Sequence, residues 1–371
     1  MYHFIDRLHT LYGLLQDEQS KEVFQARFAV DIDPSIPNIR RLVSLGSCRN
    51  QTLLGWNQSQ VEALKELNRN HKKIILYGTG DIGRLIARML EFERIDFYGF
   101  CGRNAERFHD DGLFGKPVIS PDELVSTGGE YYVVIATVTK KFYKEISEFL
   151  WSSNYPQDHI LEWADPESFV DEKQYFEFPS LYRRGTGFID GGCYDCEDSY
   201  RFAEWCERDY SFIIAFEPDS GNYAICSQKA RNNPLPNFQL VNAGLSSKEG
   251  TAMFETRSAL GSRIIPTEHD DRHLKDNNTP IRTATIDSLV GGHTVGFIKM
   301  DIEGAEFDAL HGAKNAILRD KPLLAISVYH LQGDLFAIMD YLHELVPKYR
   351  FLLRQYGLAQ YETVLYASVD L

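Results

Sequence analysis

Apolar and polar positions divide the chain into three stretches with different periods. Over roughly the first 70 residues, beginning MYHFIDRLHTLYGLL, apolar positions recur at helical spacing, interrupted by a proline-containing stretch from Asp33 to Pro37. From Lys72 short β-branched runs alternate with amphipathic segments: KKIILYG, DIGRLIARMLE, IDFYGFCG, YYVVIAT and KKFYKEISEFLW. Strands alternating with helices predict parallel βαβ units and a Rossmann-like sheet. A bridge from about 155 to 185, rich in aromatics, leads to a second alternating series that starts at TGFIDGG. Here the pattern predicts strands at 186–190, 212–216, 238–242, 296–301, 323–329, 349–355 and 362–367, with helices at 197–207, 221–231, 304–318 and 332–346. Only QYGLAQYE joins the last two strands, too little for a parallel crossover, so they predict an antiparallel hairpin at the sheet edge.

The expected fold is therefore α/β with two Rossmann-like domains. A helical segment occupies 1–70, a Rossmann-like accessory domain 71–165, and a second domain 166–371, with a seven-stranded, mostly parallel sheet. A length of 371 residues agrees with more than one core. The fractions of 43% apolar and 25% charged residues exclude a disordered or fibrous chain. A net charge of −14 without a basic patch opposes nucleic-acid binding. The N-terminus lacks the basic flank and apolar run of a secretory signal, and no stretch reaches the length of a membrane span, so a cytoplasmic protein is expected. Nothing in the composition opposes a homo-oligomer. The six cysteines read as reduced core thiols. Cys193 and Cys196 form a lone CxxC, with neither a second ligand pair for zinc nor a thioredoxin-like context.

Two glycine-rich turns carry candidate chemistry. In YGTGDIGRL, Gly78, Gly80 and Gly83 have G-x-G-x-x-G spacing between a strand and a helix, where amides at the helix start can face a phosphate and the third glycine permits close packing. A dinucleotide site expects an acid at the end of the next strand, but that strand ends in Cys101, Gly102 and Arg103. Two readings stay open: a second nucleotide site, with Arg103 meeting a 2′-phosphate, or a domain used for structure and assembly. The arrangement, with the later GKPVISPDEL, loosely resembles nucleotide-binding modules attached to sugar-modifying enzymes.

The second turn, FIDGGCYDCEDSY, places Asp190 at a strand end, followed by Gly191, Gly192 and Cys193 before a helix. Such a turn lets backbone approach a ligand closely, and the acid offsets positive charge. In FIIAFEPD, Glu217 stands where two ribose hydroxyls would donate hydrogen bonds, with Pro218 shaping a flat slot. Asn242 and Ala243, at the end of the third strand in VNAGL, line the expected adenine pocket. These parts suit S-adenosyl-L-methionine, a cation with an adenosine end and an amino-acid end.

Asp301 ends the fourth strand, with Glu303 and Glu306 just after it, and His330 follows the fifth in SVYH. Both emerge at the edge where open α/β sheets bind ligands. Asp301 and His330 could act as base and orienter toward a hydroxyl nucleophile, or hold a divalent metal; helix capping by Asp301 and strand capping by His330 are the structural alternatives. Lys299 alternates opposite Met300 and reads as a buried, paired lysine. His269 and His273, at i, i+4 beside Asp270 and Asp271, invite a metal site but read as solvated loop residues. The polar stretch from Ser246 to Asp287 reads as a long loop able to close over the active edge.

The series FIDGGCYD, FEPD, VNAGLSSKEG, ATIDSL, FIKMDIEGAEFDALHGA and KPLLAISVYH resembles, in order across about 186–367, the FkbM family of methyltransferases. The resemblance implies a class I methyltransferase fold, adenosylmethionine as methyl donor, and O-methylation of a sugar, glycan or secondary metabolite. One position departs: the glycine the family often carries late in its first loop is Cys196 here. Two further functions stay open, an NAD(P)-dependent or bifunctional sugar-modifying enzyme using the first turn, and a non-catalytic nucleotide-binding protein.

Overall fold

The computed structural model describes residues 2–46, 58–108, 112–137, 140–161, 173–255, 263–265, 278–357 and 359–371. They form two compact units, one of residues 33–171 with 357–359, the other of residues 1–32, 172–356 and 360–371. The stretch read as one helical lead is thus shared. Helices α1 (Tyr2–Gly13) and α2 (Glu18–Ile32) belong to the larger unit, α3 (Ile36–Ser44) and α4 (Gln58–Arg69) to the smaller. The division falls at Asp33–Pro37, where prolines end one helix and begin the next.

In the smaller unit, β1 (Lys73–Tyr77), α5 (Asp81–Phe92), β2 (Gly99–Cys101), β3 (Val118–Ile119), α6 (Pro121–Ser126), β4 (Tyr131–Ile135), α7 (Lys140–Ser152) and β5 (Ile160–Leu161) follow in order. The strands make a parallel sheet ordered β3-β2-β1-β4-β5. Within GKPVISPDEL, Ser120 and Glu123 form a reciprocal capping box with Pro121 in the first turn, and this starts α6.

The larger unit continues through β6 (Gly187–Gly191), α8 (Glu197–Trp205), β7 (Ile213–Phe216), α9 (Ser220–Asn232), β8 (Phe238–Val241) and β9 (Gly244–Leu245). Then come β10 (Gly250–Glu255), β11 (Arg263–Ile265), β12 (Asn278–Ala284), α10 (Ile286–Val290), β13 (Val295–Met300), α11 (Glu306–His311) and α12 (Lys314–Asp320). The chain ends with β14 (Leu323–Ser327), α13 (Asp334–Leu345), β15 (Arg350–Gln355) and β16 (Thr363–Ser368). The main sheet is ordered β15-β16-β14-β13-β6-β7-β8, and only β16 runs against its neighbours. Every residue of β6, β7, β13 and β14 is buried, as parallel strands covered on both faces must be. On the α8 side, Phe188 stacks on Phe202 at 4.1 Å between ring centroids, with Phe297 and Trp205 against them.

The N-terminal helices close the β15 edge. The Gln16 amide donates to the Phe351 carbonyl and the Phe351 amide to the Leu14 carbonyl, extending the ladder onto residues 14–16. Ser20 Oγ accepts from the Leu353 amide, and buried Arg354 pairs with Asp17 and Glu177. Paired and covered, the edge no longer offers a template to another chain.

Two expectations are corrected here. The stretch from Ser246 to Asp287 is not a continuous loop: β10, β11 and β12 join β9 in a second sheet ordered β11-β10-β12-β9. Pro280 concealed it, since proline argues against an interior strand. Pairing of β12 with β9 covers only Thr283 and Ala284, so on that side Pro280 faces no ladder partner among the described residues. The helix expected at 304–318 is two, α11 and α12, broken where a Cβ on Gly312 would lie 2.1 Å from the Ser246 carbonyl oxygen. His269, His273, Asp270 and Asp271 lie outside the described residues. No helix among those described is long and apolar enough to cross a membrane.

Candidate functional site

Strands β6, β7, β8, β13 and β14 run in one direction, so their carboxyl ends share one edge. There the chain delivers the Gly191–Cys196 turn, Glu217, Asn242, Asp301 and His330. The turn is held tightly against β13. The Asp301 amide donates to the Gly191 carbonyl at 3.0 Å. Gly192 has φ +75°, and a Cβ there would lie 2.0 Å from the Asp301 carbonyl oxygen, so only glycine suits both its backbone and its neighbour. The glycine pair thereby joins the turn to the strand that carries Asp301.

Asp190 does not offer its carboxylate to a ligand on this edge. It is fully buried and opposite Lys299 in the β6–β13 register, where it accepts from Lys299 Nζ at 3.1 Å and Ser199 Oγ at 2.7 Å. Lys299 also donates to the Gly192 carbonyl (2.8 Å) and pairs with Asp198 (3.3 Å). Burial works against the lysine charge, but Asp190 and then Asp198 outweigh it and hold its pKa above the usual range. This ion cluster forms the floor of the turn. Cys193, 3% exposed, likewise points inward, its amide donating to the Phe216 carbonyl.

Glu217 is 5% exposed and accepts from the Tyr194 amide (3.0 Å) and the Asp219 amide (2.8 Å). Burial raises its pKa to about 7, although the Asp219 hydrogen bond opposes that shift. Asn242 Nδ2 donates to the Glu217 carbonyl at 2.8 Å, and Ala243 is buried beside it. Next to these residues a cavity of about 500 Å³ is lined by Pro218, Asp219, Asn242, Phe254 and Arg282. Its size lies in the range of small-molecule sites.

Asp301 and His330 come together. His330 Nε2 lies 3.3 Å from Asp301 Oδ1 and 3.5 Å from Glu303 Oε2, while Nδ1 is 2.9 Å from Glu306 Oε1. Neither ring nitrogen is aligned for a directed hydrogen bond, so these contacts act through charge. Burial lowers the His330 pKa, but Glu306, then Asp301 and Glu303, outweigh it and raise it to about 10. Glu306 is itself fixed by accepting from the Ile302 and Gly304 amides. Asp301 caps no helix, since α11 starts at Glu306 with Ala305 before it. Burial pushes the Asp301 carboxyl up, yet His330 and then Lys299 hold it below the usual carboxylate range.

Sequence reasoning missed part of this cluster. Tyr175 Oη donates to Asp301 Oδ2 at 2.8 Å, and Tyr329 Oη lies 3.3 Å from both Asp301 Oδ1 and Glu362 Oε1. Gln174 donates to Glu362. Burial and then Asp301 raise the Glu362 pKa to about 7. Tyr329 was within reach, as the neighbour of His330 at a strand end; nothing local marks Tyr175 or Glu362. Asp301, Glu306 and His330 each offer a ligand atom within 4.8 Å of the others, a spacing that could hold a divalent cation.

In the smaller unit, the Gly78–Gly83 turn connects β1 to α5. Gly83 lies so close to Gly78 that a Cβ would be 2.1 Å from its carbonyl oxygen, whereas Gly80 faces open space at the N-cap. Arg103 is exposed.

Residues 188–356 match the family model described as the Methyltransferase FkbM domain. The chain is 26% identical over 182 residues, 43% of its length and 73% of the relative's, to the 2-O-methyltransferase NoeI of Sinorhizobium fredii. Among solved structures it is similar to methyltransferase FkbM of Methylobacillus flagellatus KT, with a TM-score of 0.46 and 16% identity over 94% of this chain and 99% of that one. A methyltransferase of Streptococcus mutans in complex with SAH aligns with a TM-score of 0.33 and 12% identity over 52% of this chain and 94% of that one.

Proposed function

We propose that the methyltransferase FkbM domain of residues 188–356 transfers a methyl group from S-adenosylmethionine to a hydroxyl of a sugar, glycan or related metabolite. The observation that carries this reading is the shared strand edge. Glu217 accepts from the Tyr194 amide of the glycine turn, the same turn accepts from the Asp301 amide at Gly191, and a cavity lies beside Pro218 and Asn242, so a candidate cofactor slot and an acid cluster share one strand edge. The residues present fit an adenosine group: Glu217 to accept ribose hydroxyls, Pro218 and Asn242 to flank a flat ring. When bound, adenosylmethionine supplies an electrophilic methyl group on a sulfonium.

The chain then aligns the acceptor and removes its proton. Asp301, ionised at neutral pH, accepts a hydrogen bond from the acceptor hydroxyl and orients it. The charged His330 fixes Asp301. Glu362, with a pKa near 7, suits receipt of the proton as the oxygen–methyl bond forms. A hydroxyl of a neutral acceptor agrees with a net charge of −14, which disfavours polyanions. The 2-O-methyltransferase relative supports an oxygen as the atom that is methylated.

Calorimetric titration with adenosylmethionine, its demethylated product and NAD(P)H tests the donor. We expect the first two to bind and Asp301→Asn to retain binding while losing about 100-fold or more in kcat toward a carbohydrate acceptor. Binding of the nicotinamide alone would overturn the reading and move the cofactor to the Gly78–Gly83 turn. A metal-assisted variant is favoured by the Asp301, Glu306 and His330 spacing, where a cation would replace the His330 proton; a rate that rises with added Mg²⁺ or Mn²⁺ is its signature.

A further inference from the structure

Three cysteines meet beneath the second glycine turn. Cys193 and Cys196 come from the turn and Cys226 from α9, the helix that follows Glu217, Pro218 and Asp219. Cys193 Sγ lies 3.5 Å from Cys196 Sγ and 3.9 Å from Cys226 Sγ, and all three sulfurs fall within 4.8 Å of one another. All three are free and buried. Zinc–sulfur bonds of about 2.3 Å at tetrahedral angles place sulfurs about 3.8 Å apart, a value these two spacings bracket. The Tyr194 carbonyl oxygen, 3.2 Å from Cys226 Sγ, offers a donor for a fourth corner.

Packed neutral thiols can reach similar distances, and the backbone of Cys196 supplies a way to tell the two cases apart by substitution. Cys196 adopts φ 63°, a left-handed conformation that a side chain resists and glycine adopts freely. A residue with a Cβ held in that region needs an interaction that over-determines it. Binding of its Sγ as the third sulfur of a metal triangle is such an interaction.

We propose that Cys193, Cys196 and Cys226 bind a Zn²⁺ ion that clips the glycine turn to α9. The lone CxxC finds its missing partner not in a second CxxC but in one cysteine on a following helix. The ion would be structural: it ties the turn backed by Lys299 to the helix that begins beside Glu217, and it takes no part in proton transfer.

The test is metal analysis by mass spectrometry on the full chain, purified without metal-affinity resin. We expect about one zinc per chain, lost in Cys226→Ser, and a thiolate-to-cobalt charge-transfer band after exchange with Co²⁺. Cys196→Gly provides a readout that does not depend on a damaged fold. With zinc in place, removing a ligand lowers the melting temperature; in a metal-free thiol cluster, relief of the left-handed backbone raises it. Zinc well below stoichiometry, all three thiols alkylated in the native protein, a disulfide between any two, or a more stable Cys196→Gly would each overturn the proposal. Failure of adenosylmethionine to bind a zinc-containing chain would count only against the methyltransferase reading.

Discussion

At Gly78–Gly83 and at Gly191–Cys196 the chain makes the same move from a buried strand into a helix, yet the surroundings of the two turns differ. In the first, Gly83 allows the helix to approach Gly78, and the next strand ends in Cys101, Gly102 and an exposed Arg103. In the second, the backbone leans on Asp301, a buried lysine–carboxylate cluster lies below, and the next strand ends in buried Glu217. The glycines report how closely two backbone segments approach. What could bind there depends on side chains delivered by neighbouring strands, and among the described residues these differ between the two turns: Thr79 bonded to Asn104 beside the first, Glu217 and Asp301 beside the second.

That contrast can be broken by mutation. Gly192→Ala puts a Cβ against the Asp301 carbonyl in a left-handed backbone and should cost about 4 kcal/mol in urea unfolding. Gly80→Ala, with open space around it and an ordinary φ, should stay within about 0.5 kcal/mol. If the two variants behave alike, close approach is not what glycine provides in the second turn. Lys299→Met leaves Asp190 buried without its cation and should cost about 3 kcal/mol by the same measurement, with Asp190→Asn in the same chain restoring part of it.

Smaller effects sharpen the comparison on the ligand side. Glu217 has a folded pKa of about 7, above its ordinary 4.5, so the stability it contributes is present below 4.5 and lost as pH rises through about 7. Binding that requires the ionised carboxylate moves the other way. Adenosylmethionine affinity should tighten by up to about 10-fold between about pH 6 and about pH 8, and Glu217→Gln should flatten that dependence. Arg103→Ala should leave both profiles unchanged; a shift there would mean that the first turn takes part.

The strands were the most legible part of the fold. The runs read at 186–190, 212–216 and 323–329 lie at Gly187–Gly191, Ile213–Phe216 and Leu323–Ser327, because fully buried parallel strands announce themselves as unbroken apolar runs. The second sheet was not legible, since polar residues interrupt its short apolar runs and β12 contains Pro280. Strand-end position brought out Asp301 and His330, but not direction: Asp190 also ends a strand and turns inward to Lys299. Nor can spacing reveal partners 126 residues apart, as Tyr175 and Asp301 are, when nothing local distinguishes the tyrosine.

The ladder between residues 14–16 and Phe351 also has a meaning in time. Ser20 meets Leu353 across a separation of 333 residues and Asp17 meets Arg354 across 337, so the first two helices are made long before their partners exist. At about 5–20 residues per second of synthesis, they wait about 20–70 s for the strand they cover. During that interval the strand that residues 14–20 cover is absent, so the docking of this segment follows synthesis of the C-terminal hairpin.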